Sequence, residues 1–309
     1  MKKKSILSLI IVGCVFCASC SNDITEVNET QSRDNTPLLT KMSTFNDSLL
    51  STKPETRSAG RTLCAMSIVS ADVISGYEGG KTAYGLCPKF MGPKVVIGVT
   101  ALSAVVCGAW GSYGAGHAWG AWARSSSPAA MEDPCTPLRL MNAYAPIRAE
   151  ESEKLIAENE NISIKLDFPE ETKELYSIGP KHNIVLKNLQ ENREISQDCK
   201  KYFTSEEIAF LESDEFIRAN DSISHSVCRL MRNGEIPVTD GRDTSSLLMN
   251  LFSTLLAQYP DNADDVQFII NKYIEAVKNT KEIPDNEKEL VYSALSVAAS
   301  SYEYWTMKK

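Results

Sequence analysis

The chain has 309 residues and a formal charge of −8 at pH 7. That acidic balance disfavours a nucleic-acid partner, because phosphate contacts need clustered lysine and arginine, and after Lys4 the bases come singly or in short pairs. The length permits two ordinary domains with a sizeable core.

Lys2, Lys3 and Lys4 open the chain, and an uncharged run from Ser5 to Ser19 follows. Its apolar stretch, Ile6 to Phe16, has the length of a signal-peptide core and is too short to span a bilayer as a mature helix. Ala18 and Ser19 then lead into Cys20. This resembles the lipobox of bacterial lipoproteins, with Cys17 standing where that family usually has leucine. The resemblance implies that residues 1–19 are a signal peptide cut before Cys20, and that Cys20 carries the lipid. Two or more acyl chains anchor a protein stably, whereas one holds it marginally. In lipoproteins, a serine after the cysteine, here Ser21, implies the outer membrane over inner-membrane retention. Loss of the three lysines takes the formal charge from −8 to −11.

Residues 20–36 are polar and lack an apolar period, which reads as a solvated tether from Cys20. Leu38, Met42, Phe45 and Leu49 then recur at helical spacing, predicting a short amphipathic helix that breaks before Pro54. Beyond it the chain changes character twice. Arg61 to Arg148 is net +3, Glu150 to Lys309 is net −12, and eleven of the sixteen glycines lie between Arg61 and Ala123. The expected division is a 37–149 region holding the amphipathic helix and a glycine-rich hairpin, then an acidic helical domain at 150–309.

The glycine-rich part is the most unusual. Twenty-nine residues between Lys94 and Arg124 carry no formal charge. Within them Thr100, Ala104, Gly108, Ser112, Gly116 and Gly120 recur every fourth position, and a second series runs through Ser67, Ala71, Ser75, Gly79 and Ala83. Small residues at this spacing let helix backbones approach closely at inclined crossings. Six glycines inside the second helix would cost an isolated helix roughly 6 kcal/mol relative to alanine. Close packing or a bilayer must offset that, so the two series are expected to face one another, with a turn between Gly85 and Pro93. The pattern resembles a glycine-zipper helical hairpin, a class shared by membrane-inserting proteins, bacteriocins and packed domains. Trp110, Tyr113, Trp119 and Trp122 suit an interfacial belt, whereas Asp72 and Glu78 in the first helix argue against a full span.

In the acidic half, Ile162, Ile164, Leu166 and Phe168 alternate with polar residues and predict one short strand. The remainder reads as helical. Thr204 and Glu207 form a capping box, Asp261 is placed to cap the stripe of Val266, Ile269, Ile270, Tyr273 and Val277, and further stripes run through Leu248 to Tyr259 and Val291 to Trp305. The expected fold class is therefore mainly α: a packed glycine-rich hairpin plus an acidic multi-helix domain with at most a short strand.

Signals for chemistry are sparse. Of His117, His182 and His225, only His225 stands at helical spacing from a thiol, Cys228, and a zinc site needs three or four ligands. Neither a metal nor a cofactor is expected. Outside the signal and the anchor lie Cys64, Cys87, Cys107, Cys135, Cys199 and Cys228; an exported compartment permits disulfides, with Cys199–Cys228 the first pairing to test, and buried free thiols are equally compatible. There is no nucleophile elbow, phosphate loop, zinc-protease helix or dinucleotide fingerprint. Paired carboxylates such as Glu170-Glu171 and Asp264-Asp265 sit at expected helix starts, where they complement the helix dipole. The segment Gly179-Pro180-Lys181-His182-Asn183, taken with the hairpin and the terminal Tyr304-Trp305, is similar to secreted lipoproteins of gut-type bacteria, a group with no activity to transfer. The expectation is a non-catalytic binding or structural module held to a membrane through its lipid, with room for a protein partner. A membrane-active effector and a Cys/His hydrolase are the alternatives.

Overall fold

Ten consecutive residues, Ile68 to Tyr77, are buried on every side of one helix. A helix with no solvent face must lie at the centre of its neighbours. In the computed structural model, which describes residues 36–52, 61–86, 103–104, 107–109, 111, 164–192, 209–210, 212–259 and 262–307, the architecture is mainly α. The named helices are α1 (Pro37–Thr52), α2 (Arg61–Leu86), a 3-10 helix (Glu170–Ser177), α3 (Ile178–Asn192), α4 (Asp214–Arg232), α5 (Thr244–Gln258), α6 (Ala263–Lys278) and α7 (Asp285–Met307).

Among the described helices α2 shares its largest contact with α7, followed by α5 and α4. α7 is itself buried continuously from Leu290 to Tyr302. Its buried residues include many small side chains, Ser293, Ala294, Ser296, Ala298, Ser300 and Ser301 among them; Ser301 faces Asp72 of α2, while Ser296 and Ser300 face α3. α3 and α6 pack on the outer faces of α7, and α1 packs on α5. Residues Asn35–Lys309 form one compact unit.

α1 follows its apolar stripe, burying Leu38, Leu39 and Met42. A buried polar residue, Asn46, lies on the same face and ties three helices: it accepts a hydrogen bond from Tyr273 Oη of α6 at 3.0 Å and donates to the Leu251 carbonyl of α5 at 2.9 Å. Phe252 and Tyr273 pack edge to face beside it, centroids 4.9 Å apart. The caps are local in sequence. Ser213 accepts from the Phe216 amide, Asp243 from Ser246, and Asn262 from Asp265. Asn262, rather than the expected Asp261, caps α6; Asp261 and the Thr204–Glu207 box lie outside the described residues. α4 is closed beyond its Asn233 cap by Gly234 at φ +74°, where the Gly234 and Glu235 amides bond back to Met231 and Leu230 in a Schellman closure.

The expected strand is corrected. The described part of that run, residues 164–169, is extended, with Ile164 and Phe168 buried and Lys165 and Asp167 exposed, but among the described residues no strand pairs with it. Side chains of α6 take the partner's role. The Lys165 amide donates to Gln267 Oε1 at 2.7 Å, the Asp167 amide donates to Asn271 Oδ1 at 3.0 Å, and Asn271 Nδ2 donates to the Lys165 carbonyl at 2.8 Å. Two residues of extended chain advance about 6.7 Å and four residues of helix about 6 Å, so the two repeats match closely enough to bond twice. On the other edge Glu303 of α7 accepts from the Ile164 amide. Period-two alternation reports which side chains are buried, not what pairs with the backbone.

Candidate functional site

The two small-residue stretches approach closely where they are described, but with an offset of one residue: Ala71, Ser75 and Gly79 of the first series lie against Ser103, Cys107 and Gly111, while Ala104 and Gly108 of the second lie against Gly76 and Asp72. A Cβ added to Gly79 would stand 2.5 Å from Cβ and Sγ of Cys107 and 2.9 Å from the Ser103 carbonyl. One on Gly111 would collide with the Ser75 hydroxyl and lie 3.1 Å from the Ala71 carbonyl; one on Gly108 would lie 3.2 Å from the Asp72 carbonyl. One on Gly76 would lie 3.0 Å from the Ala104 carbonyl. All described residues of 103–111 are buried, as are Ala71, Ser75, Gly79 and Ala83, while Ser67 is half-buried. Thr100, Ser112, Gly116 and Gly120 lie outside the described residues, as do Cys20 and Cys199. Cys228 is buried in α4 and His225 of the same helix is exposed. Cys107 is a buried free thiol, and burial pushes it well above the usual range.

Two polar clusters grow from α2, and they contain the two acids that the sequence marks as costly. The first is wholly buried. Asp72 of α2, His182 of α3 and Ser301 of α7 have no solvent exposure. Ser301 Oγ donates to Asp72 Oδ2, and His182 Nε2 stands 3.6 Å from that same oxygen. Asn183 Nδ2 donates to the Ser300 carbonyl at 2.8 Å, which turns the amide oxygen toward His182 Nδ1 at 3.1 Å. That oxygen only accepts, so Nδ1 carries the hydrogen and Nε2 faces the carboxyl group of Asp72. Burial pulls the imidazole down to about 4, against the opposing contacts with Asn183 and the Gly108 backbone. The three residue types are those of a hydrolytic triad, but the order is wrong: Asp72 touches both partners, and the imidazole does not reach the hydroxyl. The cluster joins α2, α3 and α7.

The second cluster reaches the surface at its ion pair, which is about a third exposed. Lys81 of α2 pairs with Asp243 at 2.5 Å and donates to Ser246 Oγ at 2.8 Å. Tyr77 Oη donates to Ser245 Oγ at 2.8 Å, and that hydroxyl reaches both Asp243 Oδ1 and Glu287 Oε2, at 2.6 and 2.5 Å. α2, the start of α5 and the start of α7 are thereby pinned together. Burial alone would push Asp243 up, but hydrogen bonds from Lys81, Ser245 and Ser246 outweigh it and hold the carboxyl well below its usual range. Burial raises Glu78, and Lys81 and Thr239 only partly oppose it. A serine beside a lysine is the make-up of a nucleophilic dyad, which requires a neutral amine to accept the serine proton. Lys81 does the reverse: it sits on a carboxylate and donates to Ser246.

An open groove of about 500 Å³ runs along α6, away from both clusters, lined by Asp167, Gln267, Phe268, Asn271, Lys272 and Glu275 among others. Phe268 is 47 % exposed and is propped by Phe45, centroids 5.9 Å apart. Among the described residues no group of three His, Cys, Asp or Glu side chains is placed to hold a metal ion, and no helix is long and apolar enough to cross a membrane. Sequence reasoning singled out His182, Asn183, Asp72 and Glu78 without joining them, and it missed Lys81, Ser245, Ser246 and Ser301. The available signal was Asp243-Thr244-Ser245-Ser246 ahead of an apolar run, a helix start rich in hydroxyls.

Comparison with protein-family models, with curated proteins and with solved structures finds no match in any of the three.

Proposed function

We propose that this chain is a lipid-anchored exported protein, tethered through Cys20 on the outer-membrane side of the cell envelope, whose body is a non-catalytic binding or structural module. The observation that carries the non-catalytic reading is the order of bonds in the two polar clusters. Among the described residues, the two combinations that resemble nucleophilic machinery are engaged in joining helices, with Asp72 between Ser301 and His182 and with Lys81 donating to Ser246. The close contacts of Gly79 with Cys107 and Gly111 with Ser75 support a packing role for the small residues. The anchor is supported by the run from Lys2 to Cys20.

Two measurements test the reading. Cells fed labelled palmitate should label the full chain and fail to label Cys20→Ala; equal labelling of both removes the anchor. Purified mature protein lacking Cys20 should leave dye-loaded liposomes intact at micromolar concentration. Dye release lost on Gly116→Leu would instead make the protein a membrane-active effector.

A further inference from the structure

α1 is the first described helix after the tether, and it lies along α6 in the opposite sense. The Leu38 amide at its start donates to both carboxyl oxygens of Glu282, just beyond the end of α6, at 3.2 and 3.3 Å. Phe45, seven residues on, packs against Phe268 near the start of α6. Seven residues of helix rise only about 10 Å, so the point where the tether joins the body lies close to the Phe268 ring. Among the described residues Phe268 is the most exposed of the large apolar side chains. We propose that this face of α1 and α6 docks on the lipid surface to which the chain is tethered, with the Phe268 ring entering the headgroup layer; the proposal rests on the anchor at Cys20.

Reach, charge and side-chain chemistry all favour a lipid surface as the occupant. The sixteen residues from Ser21 to Thr36 span at most about 55 Å, whatever their arrangement. Confinement within that radius corresponds to an effective concentration on the order of millimolar. A contact far too weak to recruit the free protein is then enough to hold the tethered one down. The chain as a whole is acidic, but α1 and α6 expose three lysines, Lys41, Lys272 and Lys278, against three acids, Asp47, Asp264 and Glu275. The excess acids sit elsewhere: Glu170, Glu171 and Glu174 are exposed on the 3-10 helix, which packs on α7 and α3. An anionic bilayer therefore repels the body less along α1 and α6 than along the acidic elements. Lys41 stands one helical turn from Phe45 and Lys272 one turn from Phe268, so each stem lies beside a ring while its ammonium group reaches the phosphates. An aromatic ring flanked by lysines is the make-up of an interfacial contact.

Hydroxyl-radical footprinting tests this on the mature chain carrying a hexahistidine tag in place of Cys20. The chain is bound to vesicles of phosphatidylethanolamine and phosphatidylglycerol that contain a nickel-chelating lipid. Oxidation of Phe268, relative to the exposed Tyr84 at the end of α2, should fall about threefold or more on the vesicles. Acylation of Lys41 should fall with it, and should return to its solution rate in Phe268→Ser, which removes an exposed ring and leaves the core intact. An unchanged ratio of Phe268 to Tyr84 in protein that floats with the vesicles overturns the proposal, as does protection of Lys41 that persists in Phe268→Ser. Protection of Phe268 that appears in solution as protein concentration rises makes a second copy the occupant, and overturns it too. The tag makes the measurement independent of lipidation. Failed palmitate labelling removes the anchor, whereas an unprotected Phe268 beside successful labelling removes only the docking.

Discussion

Gly79 of α2 and Cys107 stand so close that a methyl group at position 79 would lie 2.5 Å from both Cβ and Sγ of the cysteine. Two effects compete on Gly79→Ala. Helix propensity favours alanine by about 1 kcal/mol. Overpacking of a filled interface costs about 1–3 kcal/mol, and here the Ser103 carbonyl, which is backbone, blocks the escape. The expected outcome is a net loss of about 1–2 kcal/mol in urea unfolding. Gly85→Ala is the control, since nothing lies within 4 Å of its added methyl, and it should stabilise by about 0.5 kcal/mol. Equal effects at the two positions would mean that the close approach is not what holds glycine at 79.

The hydroxyl of Ser301 is a donor to a carboxyl group with no access to water. Removing a donor from a buried acid costs about 1.5–3 kcal/mol. Ser301→Ala should therefore lower stability by about 2 kcal/mol, whereas Ser222→Ala on the exposed face of α4 should stay within about 0.5 kcal/mol of the parent. Thermal unfolding of both variants separates the two expectations.

Asp243 has two roles that substitution can divide. Asparagine caps a helix as well as aspartate does, so Asp243→Asn keeps the bond to the Ser246 amide and loses the charge opposite Lys81. Asp243→Ala loses both, and should cost about 1–2 kcal/mol against less than about 1 kcal/mol for the asparagine, because the ion pair is a third exposed. The sign in pH follows from the depressed carboxyl. A group whose folded value is lowered stabilises above its unfolded value near 4 and loses that contribution as pH falls. The stability gap between the parent and Asp243→Asn should shrink below pH 4, and a gap that widens there would contradict the assignment.

Asn271 holds the extended segment by two bonds, to the Asp167 amide and the Lys165 carbonyl. Both groups lie at the surface, where water replaces a lost partner, so Asn271→Ala should cost under about 1 kcal/mol globally. Locally the effect is larger: the Asp167 amide should exchange severalfold faster, with peptides of α2 unchanged. Uniform acceleration across the chain would show that the segment is not a separately held strap.

Much of the fold was legible where information is local in the chain. The Leu38-to-Leu49 stripe marks α1, and the stripes at Leu248–Tyr259, Val266–Val277 and Val291–Trp305 mark α5, α6 and α7. Less legible was the burial of α7, because its serines and alanines resemble an ordinary surface pattern until α2 and α3 are laid against them. The strand at Ile164 to Phe168 was misread for a related reason: alternation records burial on two faces and is silent on whether a backbone or a row of amide side chains completes the bonding.

By itself, then, the sequence determined the mainly helical class, the small-residue series of α2 and the positions of its two acids, since helical period, glycine cost and charge are properties of neighbouring residues. Only the tertiary structure decided that Asp72 would meet His182 and Ser301, and Lys81 would meet Asp243. Asp72 and Ser301 lie 229 positions apart, and which hydroxyl or ring meets a buried acid depends on how the helices cross, a relation that no local pattern encodes.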